Sequence, residues 1–307
     1  MSASILASPV ATHRVPSVAR VHRPARHFGQ GKASTFPWPF GKGWASFLSG
    51  FRKLLQRTRA TGVKIKPYFD QVEEDGVVAN KFAFYTLRSW VSMLYGTTSE
   101  AASADPLNKG YFVLGGGEEP HDLYAGDFLT ATVLHDLYHN TNLKSVRVDG
   151  CPVHQAAPLQ SQYKSTSISN SIVDSGTSDL SLAQDVYDAI LKGLEQRDAA
   201  FAQAVQAAVN SNDGVPSSTL DLARWPTIYF TLEGEAGKDV ELACSPQTYW
   251  QVDFPAAGRA VFQISGPLDS VNQSILGLPL MNNYYTVFDR TQDVNGVVRF
   301  AKIKFPA

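Results

Sequence analysis

One aspartate lies in a Ser-Gly-Thr-Ser turn directly after an apolar run, and this turn constrains the chain more than any other feature. Asp174 follows Ile172-Val173 and precedes Ser175-Gly176-Thr177-Ser178. Glycine permits close approach of two backbone segments, and hydroxyl groups can donate hydrogen bonds to a carboxylate. No other aspartate of the sequence precedes Ser-Gly or Thr-Gly. The less specific interpretation is an Asx-turn between two strands.

An ordered series of apolar runs and turns lies on both sides of this turn. The runs are 67–70, 81–87, 112–116 and 124–126 before it, and 225–230, 245–249, 274–277 and 283–290 after it. In order and spacing they resemble the C-terminal lobe of pepsin-like aspartic proteases over about residues 67–305. The resemblance implies a mostly-β fold, a single pepsin-like acid protease lobe with a few helices.

The same resemblance implies an aspartic-type endopeptidase that hydrolyses peptide or protein substrates with an activated water. It gives Asp174 the role of catalytic carboxylate and makes Ser175, Gly176, Thr177 and Ser178 the active-site loop. Ile275, Leu276 and Gly277 then support that loop, because a strand ending in glycine can pass close to it. The alternative for these three residues is an ordinary buried strand that ends at a turn.

The sequence before residue 67 is too short for a second lobe of domain size. We therefore expect 1–42 to be a disordered or non-native basic segment, 43–110 a remnant of the N-terminal lobe and interlobe region, and 111–307 the C-terminal lobe. One carboxylate cannot be base and acid in one step. A homodimer or a separate N-terminal lobe would then supply the second one. The alternative is a catalytically inactive, truncated pepsin-like protein or binding module.

Charge divides the chain at Asp70, its first acidic residue. Twelve of the 27 Lys and Arg precede it, which leaves 15 basic against 28 acidic residues, a net of −13. The basic start also fits an organelle transit peptide or a gene model that lost the first lobe. Residues 43–66 have the spacing of a basic amphipathic helix, docked on the lobe or on a membrane surface.

No run of about 20 apolar residues is present, so no transmembrane segment is predicted. No secretory signal is visible, although the family is mostly secreted or vacuolar, and localisation stays open. Nothing in the sequence indicates a nucleic-acid partner or a cofactor; Gly115-Gly116-Gly117 lacks the Lys and Ser/Thr of a phosphate-binding loop.

The remaining expectations concern local structure. His135 and His139 are expected on a strand, where they form no metal site, and the sequence does not decide whether Cys151 and Cys244 pair. Asp289 is expected to be a solvated or salt-bridged residue at a strand end. The patterns also predict a strand over 143–148 and helix over 183–210 with a break near Asp198.

Overall fold

A computed structural model describes residues 12–13, 73–90, 104–135, 138–211, 213–267 and 271–304. Residues 12–13 and those from 79 onward belong to one compact unit, and 73–78 belong to a second. Within 1–42, Thr12–His13 form a short strand. The rest of 1–42 and the predicted helix over 43–66 lie outside the described residues, so those predictions stay predictions.

Short strands dominate the compact unit, in agreement with the mostly-β prediction. They are β1 (Thr12–His13), β2 (Lys81–Thr86), β3 (Gly110–Leu114), β4 (Tyr124–Thr132), β5 (Asn140–Thr141), β6 (Leu143–Val148), β7 (His154–Gln155), β8 (Ser171–Val173), β9 (Leu180–Ser181), β10 (Val215–Pro216), β11 (Ile228–Leu232), β12 (Val240–Cys244), β13 (Trp250–Val252), β14 (Arg259–Phe262), β15 (Ile264–Ser265), β16 (Ser274–Leu276), β17 (Tyr284–Asp289) and β18 (Val297–Ile303). The helices are α1 (Gln184–Arg197), α2 (Ala199–Val209), α3 (Pro246–Tyr249) and α4 (Leu278–Met281).

Four sheets organise these strands. The largest has six antiparallel strands in the order β1-β3-β2-β17-β18-β4. A four-stranded sheet has the order β12-β11-β6-β7, and a three-stranded sheet has the order β10-β14-β13. The five-stranded sheet, in the order β15-β9-β16-β8-β5, contains the strand that leads into Asp174.

The six-stranded sheet separates two apolar cores, because successive side chains of a strand point to opposite faces. On one face Phe82 stacks on Phe288 with ring centroids 4.8 Å apart, against the larger core. On the other face Ala83, Tyr85 and Tyr285 belong to a smaller, aromatic core. The sheet is therefore covered on both faces over its centre.

The predicted helical segment is confirmed, including its break at Asp198. This residue has φ −164° and ψ 124°, and its carboxylate accepts a hydrogen bond of 2.9 Å from the backbone N–H of Ala200. It therefore ends α1 and caps the start of α2. Gly193 lets α1 lie against β6, since a Cβ there would come within 2.6 Å of a methyl of Val148.

No helix in the described part of the chain is long and apolar enough to cross a bilayer. This agrees with the predicted lack of a transmembrane segment over those residues.

We expect Asp198→Ala to lower the free energy of unfolding by about 1 kcal/mol, because α2 loses its N-terminal cap. Urea unfolding of the whole chain measures the change. Glu195→Ala is the matched control: this residue is exposed on the last turns of α1, and we expect a change below about 0.5 kcal/mol. Equal effects of the two substitutions would contradict the capping role.

Candidate active site

Strand β16 lies between the strand that enters the Asp174 turn and the strand that leaves it. It pairs in parallel with β8, with Ile275 opposite Ile172 and Leu276 opposite Val173. On its other side it pairs antiparallel with β9, with Leu276 opposite Leu180. The structure therefore brings the two sequence-predicted segments, 172–178 and 275–277, together.

Gly277 follows β16, and its backbone lies very close to the backbone of the Asp174 turn. A Cβ at this position would overlap the carbonyl oxygens of Asp179 and Thr177. The backbone N–H of Asp174 donates to the carbonyl of Leu276 (3.1 Å), and that of Leu278 donates to the carbonyl of Thr177 (2.8 Å). The turn is thus held at both ends by the residues around Gly277, for a steric reason that only glycine satisfies.

The carboxylate of Asp174 is oriented by its own turn. Oδ1 accepts a hydrogen bond from the backbone N–H of Gly176 (2.8 Å), and Oδ2 accepts one from Oγ1 of Thr177 (2.6 Å). Thr177 is buried, whereas Ser175 and Gly176 are exposed and Ser178 is partly exposed. Among the described residues, none of the ion pairs involves Asp174. The result is a fixed, partly exposed carboxylate without a cation partner in the described part of the chain.

Asp179, five residues further on, is a second carboxyl group that the sequence patterns did not identify. Burial raises its pKa from the ordinary 3.8 to about 6, and a hydrogen bond with the Trp90 side chain opposes that rise. The only sequence signal was an acidic residue directly before the buried Leu180. The carboxyl group therefore titrates within the mildly acidic range.

Trp90 reaches Asp179 from the segment that follows β2. Its backbone N–H donates to Oε1 of Gln251, and its carbonyl accepts from Nε2 of the same residue, both at 2.9 Å. Its ring stacks on Phe254 with centroids 5.3 Å apart. Three contacts thus hold this tryptophan beside β9, the strand that follows the Asp174 turn.

Two expectations about isolated side chains have clear outcomes. Asp289 is salt-bridged as predicted: it is buried, accepts from Thr291, and lies 3.4 Å from Nη1 of Arg299. The strand expected at His135 and His139 is wrong, because β4 ends at Thr132 and His135 makes only an isolated bridge with Asn140. His139 has φ 47°, and its carbonyl accepts from the N–H of Val173. It therefore lies in a turn next to β8, the strand that leads into Asp174.

The two cysteines are free thiols. Cys151 donates to the carbonyl of Gly193 (3.4 Å), and burial raises the pKa of Cys244 to about 12. Over the described residues, no group of three or more His, Cys, Asp and Glu side chains is arranged to hold a metal ion.

Comparison with known proteins gives the class of protein. The family model for eukaryotic aspartyl proteases matches residues 58–303, and the chain therefore belongs to that family. A β-secretase from Strongylocentrotus purpuratus is 23% identical over 245 residues, which cover 76% of this chain. The chain spans 44% of the length of that relative. The sheets and the few helices are accordingly those of one pepsin-like lobe, as the sequence predicted.

We expect Gly277→Ala to destabilise the protein by about 3 kcal/mol or more, because the added methyl overlaps two backbone carbonyls that cannot both move away. Thermal or urea unfolding gives the value. Gly266→Ala is the control, since a Cβ there has its nearest neighbour at 3.6 Å, an ordinary contact. If the two variants were equally stable, close approach at Gly277 would not be the constraint.

We expect Asp179→Asn to stabilise the protein at pH 7 and to have little effect at pH 4. A carboxyl group with a raised pKa in the folded state is neutral in both states below its ordinary pKa of 3.8. It therefore destabilises progressively as pH rises towards about 6. The gain at pH 7 is up to about 3 kcal/mol.

Urea unfolding at the two pH values measures the effect of Asp179→Asn. Asp127→Asn, at an exposed strand position, is the control and should change stability equally at both. A gain from Asp179→Asn that does not depend on pH would contradict the raised pKa.

Proposed function

We propose that Asp174 is one of the two catalytic carboxylates of an aspartic endopeptidase, and that a second copy of this chain supplies the other. The observation that supports this proposal is the geometry of the Asp174 carboxylate. Both its oxygens accept hydrogen bonds from its own turn, so its orientation is fixed. The carboxylate is partly exposed, so a facing carboxylate and a water can reach it.

Aspartic proteases in general work with two carboxylates about 3 Å apart that share one proton, because both cannot ionise at that distance. The ionised group accepts a proton from the attacking water, and the protonated group donates to the peptide carbonyl. The chain has one Asp-Ser-Gly-Thr turn. In our proposal, two such turns meet across a two-fold axis, each with its own loop 175–178 and support 275–277.

An aromatic surface next to the turn, with two exposed side chains, supports association with a second polypeptide. The carbonyl of His139 accepts from Val173, the residue before Asp174. The His139 ring lies 6.4 Å from Phe82, which lies 5.8 Å from Phe112. Phe112 is 38% exposed and the neighbouring Tyr138 is 61% exposed. Such a surface beside a catalytic strand is typical of a protein interface.

The second candidate function is a binding module without catalytic activity. The same aromatic surface favours it, because a partner could cover the surface without contributing a carboxylate. A separate N-terminal lobe is the other source of a second carboxylate. We also propose the domain boundaries that the sequence predicts: a basic segment over 1–42, a remnant of the N-terminal lobe over 43–110, and the C-terminal lobe over 111–307.

Peptide cleavage at acidic pH, measured over a concentration series of the purified chain, tests the proposal. We expect activity per chain to rise with concentration as dimers form, and Asp174→Asn to abolish it. Asp127→Asn, an exposed carboxyl group on β4, should leave activity unchanged. Full activity from a monomer, or activity that survives Asp174→Asn, would contradict the shared site.

A mixing experiment separates a shared site from two independent ones. When equal amounts of wild-type and Asp174→Asn chains associate at random at fixed total concentration, a shared dyad leaves about a quarter of the activity. Independent sites leave about half. If no concentration gives cleavage although dimers are detected by light scattering, the binding module is the better description.

A further inference from the structure

We propose that a cavity at the end of β18 binds an apolar ligand that carries one carboxylate, with Arg88 and Lys302 as its cationic contacts. The cavity has a volume of about 620 Å³. Its walls come from the residues after β2, from the start of α3, from β13 and from the end of β18. The inference does not depend on Asp174.

The charged side chains that line this cavity are basic, although the body around it is acidic. From Asp70 onward the chain has a net charge of −13, yet the described residues that line the cavity include Arg88 and Lys302 and no Asp or Glu. A second cavity, about 460 Å³ beside α1, is lined by Asp185 and Asp188 as well as Lys192. The charges of the lining residues therefore favour an anionic ligand in the first cavity and not in the second.

Arg88 is buried, and one N–H of its guanidinium group has no hydrogen-bond acceptor among the described residues. Its side chain is only 6% exposed. Nη1 donates to Oδ2 of Asp105 (3.1 Å) and to Oδ1 of Asn108 (3.2 Å). Nε is buried, and no described residue supplies an acceptor for it. A buried N–H without an acceptor is unfavourable, and the planar edge of a guanidinium matches a carboxylate.

The other contacts define the rest of the ligand. Lys302 is exposed and adds a second positive charge to the cavity. Leu87, Leu222 and Val252 line the walls, so a hydrocarbon portion would be buried there. A small, multiply charged anion such as inorganic phosphate would place unpaired charge against these side chains. The chemistry shared by suitable ligands is one carboxylate attached to an apolar chain.

Calorimetric titration of the whole chain with decanoate and with decanol tests the charge. Decanoate is kept below its micellar concentration. We expect decanoate to bind about tenfold or more tightly than decanol, and its affinity to fall as salt is added. Equal affinity for the two would overturn the proposal, because the cavity would then select only for apolar surface.

Substitutions locate the binding site. Lys302→Gln should weaken decanoate about fivefold and leave decanol unchanged. Lys304→Gln is the matched control, since this lysine lies two residues further along and does not line the cavity. Leu107→Glu, at a wall position that is 39% exposed, should weaken decanoate by repulsion. Arg88 itself is left intact because its loss would leave Asp105 unpaired. If neither Lys302→Gln nor Leu107→Glu changes the affinity for decanoate, the ligand binds elsewhere and the proposal is wrong.

Peptides distinguish the two sources of this chemistry. A short peptide that ends in leucine is titrated as the free acid and as the C-terminal amide. If the free-acid peptide binds and neither the amide nor decanoate does, the ligand is a peptide C-terminus. If decanoate binds and the free-acid peptide does not, the ligand is an acyl carboxylate. If neither acid binds, the proposal is wrong.

Discussion

The passage of β16 between β8 and β9 is the constraint on which the rest of the site depends. It is possible because Gly277 has no Cβ, so its backbone fits against the carbonyls of Thr177 and Asp179. The hydrogen bonds from Asp174 to Leu276 and from Leu278 to Thr177 form only when that approach is made. The position of the turn that orients the Asp174 carboxylate is therefore set by a strand about 100 residues away in the sequence.

The six-stranded sheet places this site on a scaffold built from distant parts of the chain. Its strands come from residues 12–13, from 81–132 and from 284–303. Charge as well as packing joins them: Glu118 lies 2.7 Å from Lys81 and 2.6 Å from Arg299, which also pairs with Asp289. Non-local pairing of this kind is costly in entropy until several strands are in place, so the sheet and its two cores must form together.

The Asp174 turn and the cavity at the end of β18 carry charged side chains of opposite sign. Asp174 is a carboxylate for which no described residue supplies a cation, and Arg88 is a cation with an unsatisfied N–H. Gln251 lines the cavity, and its amide also holds the backbone of Trp90, whose side chain bonds Asp179. One amide side chain, that of Gln251, therefore lies between the cavity and the residue that contacts Asp179.

The sequence by itself determined the local features: the Asp174 turn, the strand over 143–148, the helix break at Asp198 and the family to which the chain belongs. These depend on neighbouring residues and on order along the chain. Only the tertiary structure decided the turn at His139, the raised pKa of Asp179, and the buried Arg88 in its cavity. Trp90 and Gln251 are 161 residues apart. Burial and hydrogen bonding between such residues are set by how the sheets pack, and no local pattern encodes that packing.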